Sequence, residues 1–194
     1  MITTLYLVRH GEVYNPEGIL YGRLPNFGLS DRGKTELTKT AEFLKDTDIS
    51  HIYSSPLKRA MESAGIIKER LNLPEICITE EIIEVETSYQ GQKFADLDAL
   101  QSEVYLKPLS PSDETIEQIA ERMKHFLKEI LENHTGQTTV AVSHGDPLVI
   151  LKTIIQKKQL TFETFKTNDY SQHGEVYEFI AENNDLSVKS VFKP

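Results

Sequence analysis

The chain reads as an α/β protein, a three-layer sandwich with a largely parallel central sheet and helices on both faces. Two observations predict this. Short apolar, β-branched runs alternate with amphipathic helical stretches through most of the sequence, the order expected of parallel strands joined by helical crossovers. The chain has 194 residues, 39% of them hydrophobic, enough for one domain with a sizeable core. The expected organisation is a single domain over residues 1–194 with a small cap segment at about 85–112.

Taken in order, Thr3 to Val8 is a buried first strand. Residues 11–28 hold four glycines, two prolines and an Asn15–Gly18 turn, and read as a long irregular loop. Ser30-Asp31 starts a helix to about Lys45, with Leu37, Ala41 and Leu44 on one face. Ile49 to Ser54 is the second strand. Ser55-Pro56 then reads as an N-cap followed by proline at the first helical position, opening a helix to about Leu71. Ile76 to Thr79 is a third strand with Cys77 as an inert buried thiol. A short helix is expected around Phe94 to Leu100. The strongest helix runs from Thr115 to Asn133, where Ile116, Ile119, Ala120, Met123, Phe126, Leu127, Ile130 and Leu131 form one stripe. Thr138 to Val142 is a fourth strand, Pro147 opens a helix to about Gln156, and Glu175 to Ile180 with Leu186 to Val191 form a closing strand pair.

Composition narrows the function. Lys plus Arg is 21 and Asp plus Glu is 30, a net charge of −9. So acidic a chain is a poor general binder of nucleic acid or anionic membrane, and any phosphate site must be a local concentration of cations. One cysteine excludes an intrachain disulfide framework or a cysteine-rich zinc module. No apolar run approaches the roughly 18–20 residues that span a bilayer, and the start lacks a basic n-region, so the expected compartment is the cytoplasm.

In an open α/β sheet, ligands bind beyond the carboxyl ends of the strands. The first strand is followed by Arg9-His10-Gly11-Glu12, the second by Ser55-Pro56-Leu57-Lys58-Arg59, the third by Glu80, Glu81 and Glu84, and the fourth by Ser143-His144-Gly145-Asp146. Arginine matches phosphate oxygens with paired hydrogen bonds. A neutral histidine held in one tautomer is a nucleophile. The glycine after each histidine would let backbone approach a ligand closely, and a nearby carboxylic acid could protonate a leaving alkoxide. Such a set makes a phosphoryl-transfer site whose cations are side chains, with no metal and no cofactor.

Leu7-Val-Arg-His-Gly-Glu12, Ser54-Ser-Pro-Leu-Lys-Arg59 and Val142-Ser-His-Gly145 resemble the motifs of the histidine phosphatase superfamily, the phosphoglycerate mutase-like group, in that family's order. The resemblance implies that His10 forms a phosphohistidine and that Arg9, Arg59 and His144 hold the phosphoryl oxygens. It matches Asn15 to an asparagine that touches phosphate and Gly22 to a glycine whose amide faces the ligand, beside Gly11 and Gly145. Glu84 best matches the family's acid. The pattern departs from the family at Ser88, where a glycine is usual, so Glu80, Glu81 and Glu86 remain alternatives. The implied activity is metal-independent phosphomonoester hydrolysis of a small phosphorylated substrate. The alternative is mutase-type phosphoryl transfer, against which residues 85–114 offer no arginine and only Lys93 and Lys107 as cations.

Other features compete. Gly28-Leu-Ser-Asp-Arg-Gly33-Lys34-Thr35 fits G-x-x-x-x-G-K-[ST] in full, the outside alternative of a nucleotide-binding P-loop. Pro25 and Gly22 argue against the strand that should precede it, and Ser30 reads as an N-cap. Arg59 could be a surface partner of Glu62 or Glu69, and Asn15 a mere turn cap. His51, His125, His134 and His173 show no metal-ligand spacing and read as surface or capping residues. Tyr89, Phe94 and Tyr105 are candidates for the entrance or for core. Cys77 lacks the arginine of a Cys-x5-Arg phosphatase, since that position is Ile83, and no G-x-S-x-G elbow is present.

Overall fold

A computed structural model describes residues 1–97, 105, 108–167, 169–183 and 185–194. Among them runs a six-stranded sheet. Its strands are β1 (Thr3–Arg9), β2 (Ile49–Ser54), β3 (Cys77–Ile78), β4 (Thr138–Ser143), β5 (Val176–Glu182) and β6 (Asp185–Phe192), in spatial order β3-β2-β4-β1-β5-β6. The first four in that order are mutually parallel, and β5 and β6 add an antiparallel edge. The fold is α/β with helices on both faces.

One face is covered by α1 (Asp31–Leu44) and α2 (Lys58–Leu71). Leu37, Ala41, Leu44, Ala60, Ala64 and Ile67 pack there on Val8, Ile52, Val140 and Val142. The other face carries α4 (Ile116–Asn133) and α5 (Gly145–Ile155) over Leu5, Leu7, Ala141 and Phe179. The stripe of α4 sends Ile119, Met123, Phe126 and Ile130 inward, each worth roughly 1.5–3 kcal/mol of burial. Thr115 and Gln118 close a reciprocal capping box at its start. A 3-10 turn (Glu80–Ile82) and two short helices, α3 (Phe94–Leu97) and α6 (Phe162–Thr167), sit near the strand ends. The 3-10 turn and α6 carry too few residues for periodicity to reveal them. The expected end of the α3 segment, residues 98–100, lies outside the described residues, as do residues 101–104 and 106–107 of the cap segment at 85–112.

Three expectations are corrected. Helix α2 begins at Lys58 with Leu57 as its N-cap, not at Ser55-Pro56; the Ser55 hydroxyl is committed to His144 instead, 2.8 Å away. Cys77 is exposed, because β3 is a two-residue edge strand. The stretch Gly28–Thr35 is no P-loop. No strand leads directly into Gly28, Ser30 caps α1 by accepting from the Gly33 N–H at 3.0 Å, and Lys34 pairs with Asp31 on the surface.

Register aligns the strand ends. Arg9 lies beside Ser143, and Ser54 beside Val142. Pairing extends one residue further, with His10 N–H donating to Ser143 O and Ser55 N–H to Val142 O, both at 3.0 Å. The chain then turns away against α1. A Cβ on Gly11 would stand 2.5 Å from Gly33 O, and one on Gly33 would stand 2.1 Å from Glu12 O. Gly11 and Gly33 thus allow backbone to meet backbone. The Glu12 N–H donates to Glu36 Oε2 at 2.9 Å and Ser30 Oγ–H to Glu12 Oε1 at 2.7 Å. The close approach recorded at Gly11 is to helix α1.

Helix propensity alone would make Gly33→Ala stabilising by up to about 1 kcal/mol. The backbone clash reverses the sign: the variant should lose about 1–3 kcal/mol in urea denaturation. Unchanged or increased stability would show that the Gly11–Gly33 contact does not hold this segment.

Candidate active site

Four chain segments that end at one rim of the sheet bring Arg9, His10, Arg59 and His144 together with Glu84. His10 is 1% exposed, Arg59 1% and His144 0%. The His10 and His144 rings stand 5.1 Å apart at 60°. Beside them opens a cavity of about 330 Å³, lined among others by Arg9, Tyr21, Gly22, Glu84, Phe94 and Asp146.

His10 is held in one tautomer. Its Nδ1 lies 2.8 Å from Gly11 O and therefore carries the proton, while Nε2 accepts from Arg59 Nε at 3.3 Å. Burial, then Arg59 and Arg9, lowers its proton affinity well below the ordinary histidine range. The imidazole is neutral, with its Nε2 lone pair facing the guanidinium. His144 is similarly neutral, through burial, Arg59 and His10. Its Nε2 meets the Ser55 hydroxyl at 2.8 Å. With Ser55 donating, His144 Nδ1 keeps its proton and points toward the cleft, 3.9 Å from Glu84 Oε2. His144 is thus a neutral donor rather than a cation.

Arg59, in the first turn of α2, is no surface residue, and no pairing with Glu62 or Glu69 is found among the described residues. It donates to Gly22 O at 2.8 Å, and its guanidinium lies over the Tyr21 ring at 4.7 Å. Gly22, at φ +40°, turns its carbonyl to Arg59, and this contact is what the structure records for it. Arg9 is held by Ser171 O, by His173 Nε2 at 3.2 Å and by the Tyr170 ring at 5.3 Å. A Cβ on Gly145 would strike the Tyr170 hydroxyl at 2.3 Å, so this glycine too makes room for a side chain. Asn15 stays within its loop: it donates to Ile19 O at 2.9 Å and accepts from Ile19 N–H at 3.2 Å.

Glu84 follows the 3-10 turn. Val85 N–H donates to its Oε1 at 2.9 Å, leaving Oε2 to face Arg59 at 4.0 Å. Its main-chain carbonyl accepts from Arg23 Nε at 2.8 Å and Arg122 Nη2 at 3.5 Å. Those two arginines converge on Glu114, with Arg23 Nη2 at 2.8 Å and Arg122 Nε at 2.9 Å. The alternative acids stand elsewhere: Glu86 pairs with Arg23, and Glu81 faces His125. Burial, then the charge of Asp146, pushes the Glu84 carboxyl above its ordinary value against the pull of Arg59.

Two buried donors in this cleft, Arg9 Nε and His144 Nδ1, have no hydrogen-bond partner among the described residues. Buried polar atoms are ordinarily paired. Ligand atoms of His10, Glu84 and His144 also lie within 4.8 Å of one another, a spacing that could hold a cation. The guanidinium of Arg59 stands among them, however, and Arg9 beside them. Fixed positive charge there repels a metal ion and attracts an oxyanion.

A model of the histidine phosphatase superfamily (branch 1) matches residues 5–191. The chain belongs to that superfamily. Among its relatives, the uncharacterised protein Rv0525 of Mycobacterium tuberculosis is 35% identical over 164 residues, covering 81% of each chain. Phosphoserine phosphatase 1 of Hydrogenobacter thermophilus is 33% identical over 153 residues, 74% of this chain and 72% of its own. Bacillus stearothermophilus YhfR has the same fold, with a TM-score of 0.85 at 23% identity over 97% of this chain and 96% of its own. A phosphoserine phosphatase from Entamoeba histolytica, solved with 3-phosphoglyceric acid, has a TM-score of 0.80 at 22% identity over 99% and 97%.

Sequence reasoning placed His173 on the surface, yet it contacts Arg9 and its ring lies 5.7 Å from that of His10. It also missed Tyr21, Tyr170 and Lys166. The signal was topological. A strand antiparallel to the parallel set begins where they end, so the loop entering β5, paired Val8 to Val176, arrives at the same rim. Arg23 and Arg122 had no motif to mark them.

Burial, then Arg9, draws His173 down to about 3, whereas an unfolded histidine titrates near 6.5. Between those values the unfolded chain binds a proton that the folded chain refuses, so this residue makes stability fall as pH drops. His173→Gln should gain on the wild type in Tm between pH 7.5 and pH 5. A gap that stays constant with pH would contradict this.

Proposed function

We propose that this chain hydrolyses phosphomonoesters through a phosphohistidine formed on Nε2 of His10, using side-chain cations in place of a metal ion. The observation that carries the reading is the convergence of a neutral imidazole, its Nδ1 tied to Gly11 O, with two arginines and a second imidazole, where Arg9 Nε and His144 Nδ1 are buried without a hydrogen-bond partner among the described residues.

His10 Nε2 attacks phosphorus in line, forming the N–P bond as the ester P–O bond breaks. Arg9, Arg59 and His144 Nδ1–H stabilise charge on the equatorial oxygens. Gly11 O stays hydrogen-bonded to Nδ1–H as the ring gains positive charge. Protonated Glu84 gives its proton to the departing alkoxide. Its carboxylate then takes a proton from water, whose oxygen attacks phosphorus, releasing phosphate and restoring neutral His10. Gly22 acts through its hold on Arg59. Gly11 and Gly145 act as close-packing positions, and Asn15 shapes the loop that brings Tyr21 and Gly22 over the cleft.

The substrate is a small phosphorylated molecule. About 330 Å³ of cavity accommodates a phosphoryl group and a compact leaving group. The similarity to phosphoserine phosphatases puts phosphorylated amino acids and small hydroxy acids first in a screen. Segment 85–112, with Phe94 and Val85 at the cavity wall, is the selecting element.

Phosphate release from a metabolite panel should persist in EDTA. His10→Ala should abolish it, and Glu84→Gln should cost about 10²–10⁴-fold with an alkyl ester. Full activity in His10→Ala, or loss in EDTA, would overturn the reading.

A further inference from the structure

The cleft contains a conflict. Arg9 and Arg59, which suit a phosphoryl dianion, also favour the ionised form of Glu84, and an ionised carboxylate cannot donate a proton. Arg23 and Arg122 add positive charge behind it, at its main-chain carbonyl. The imidazoles of His10 and His144 are neutral and do not redress the balance.

The same cavity is lined by Asp146, two residues past His144 at the start of α5. It is 8% exposed. Lys166 Nζ lies 2.7 Å from its Oδ1, the Tyr170 hydroxyl donates to the same oxygen, and the Tyr105 hydroxyl donates to Oδ2. These partners come from two separate stretches of chain, one holding Tyr105 and one holding Lys166 and Tyr170. Burial alone would raise the Asp146 carboxyl; Lys166 and the two phenols outweigh it and hold it below the ordinary range. Burial, then Asp146, keeps both phenols protonated. Asp146 lines the cavity with Glu84 yet shares no hydrogen bond with it among the described residues.

We propose that Asp146 is a positioning residue for proton transfer: a clamped, ionised carboxylate lining the same cavity as Glu84, which opposes a second negative charge and so keeps the Glu84 proton available to the leaving group. Like charges sharing a low-dielectric site cannot both ionise freely. Three donors decide which of the two stays charged. Lys166 is part of the same device with opposite sign, since its ammonium tempers the field of Asp146 at Glu84. This inference rests on the phosphohistidine reading and on Glu84 as its acid.

The free enzyme is what the pH profile of kcat/KM reports. Glu84 must enter protonated, so activity falls as pH rises through its titration. With an alkyl phosphate, Asp146→Asn should bring that alkaline limb down by about one pH unit. Lys166→Met should move it up. With 4-nitrophenyl phosphate, whose leaving group needs little protonation, Asp146→Asn should cost under about threefold where it costs tenfold or more with the alkyl ester at the same pH. Thermal melts establish that each variant folds, and Lys166→Met carries the test if Asp146→Asn does not. A limb that stays in place in the folded variants, or equal losses on both substrates, would overturn the proposal. An inactive wild type, or an active His10→Ala, would instead sink the phosphatase reading on which it rests.

Discussion

The contact between Arg59 and His10 is the interaction on which the rest of the site depends. In a chain of net charge −9, a fixed guanidinium is buried against an imidazole nitrogen, 3.3 Å from Nε2. Its charge helps keep the histidine neutral. The Gly11 carbonyl then decides which nitrogen carries the remaining proton. Burying a guanidinium is costly unless its donors are met. Gly22 O meets one of them, and the Tyr21 face covers the group. The long loop before α1 is therefore part of the site, because it supplies both.

For the proposed hydrolysis, the chain must keep positive charge close around that contact while one carboxyl stays protonated. The sheet solves the first requirement by register, ending β1, β2 and β4 level with one another. The second falls to the segment after the 3-10 turn, anchored through its backbone by Arg23 and Arg122. Anchoring by the carbonyl leaves the Glu84 side chain to the cleft and fixes where it arrives. Gly11 and Gly33 add the remaining constraint, pressing the turn after His10 against α1.

Much of this was legible in the sequence. β2 matches its expected bounds, and the stripe of α4 is long enough for periodicity to be decisive. The strand-end rule places Arg9, His10 and His144 on one rim, and the motif around Ser54 brings Arg59 there too. What escaped has physical causes. Ser55-Pro56 looks like a helix cap, but a tertiary partner, His144, took the hydroxyl. Cys77 looks buried because a β-branched run does not say whether its strand is central or edge. Gly33-Lys34 mimics a phosphate loop, while its glycine serves packing. His173, Tyr170 and Lys166 precede a strand whose direction no local pattern reveals.

The proposed chemistry requires four side chains to meet around one phosphoryl group and Nε2 of His10 to accept it. Rapid acid-free quenching of a turnover mixture, followed by phosphorus NMR and peptide mapping, tests it directly. The expected product is one acid-labile, alkali-stable phosphoramidate, on His10 and at Nε2, because Nδ1 is occupied by Gly11 O. A label at Nδ1, on another residue, or none during a pre-steady-state burst would contradict it.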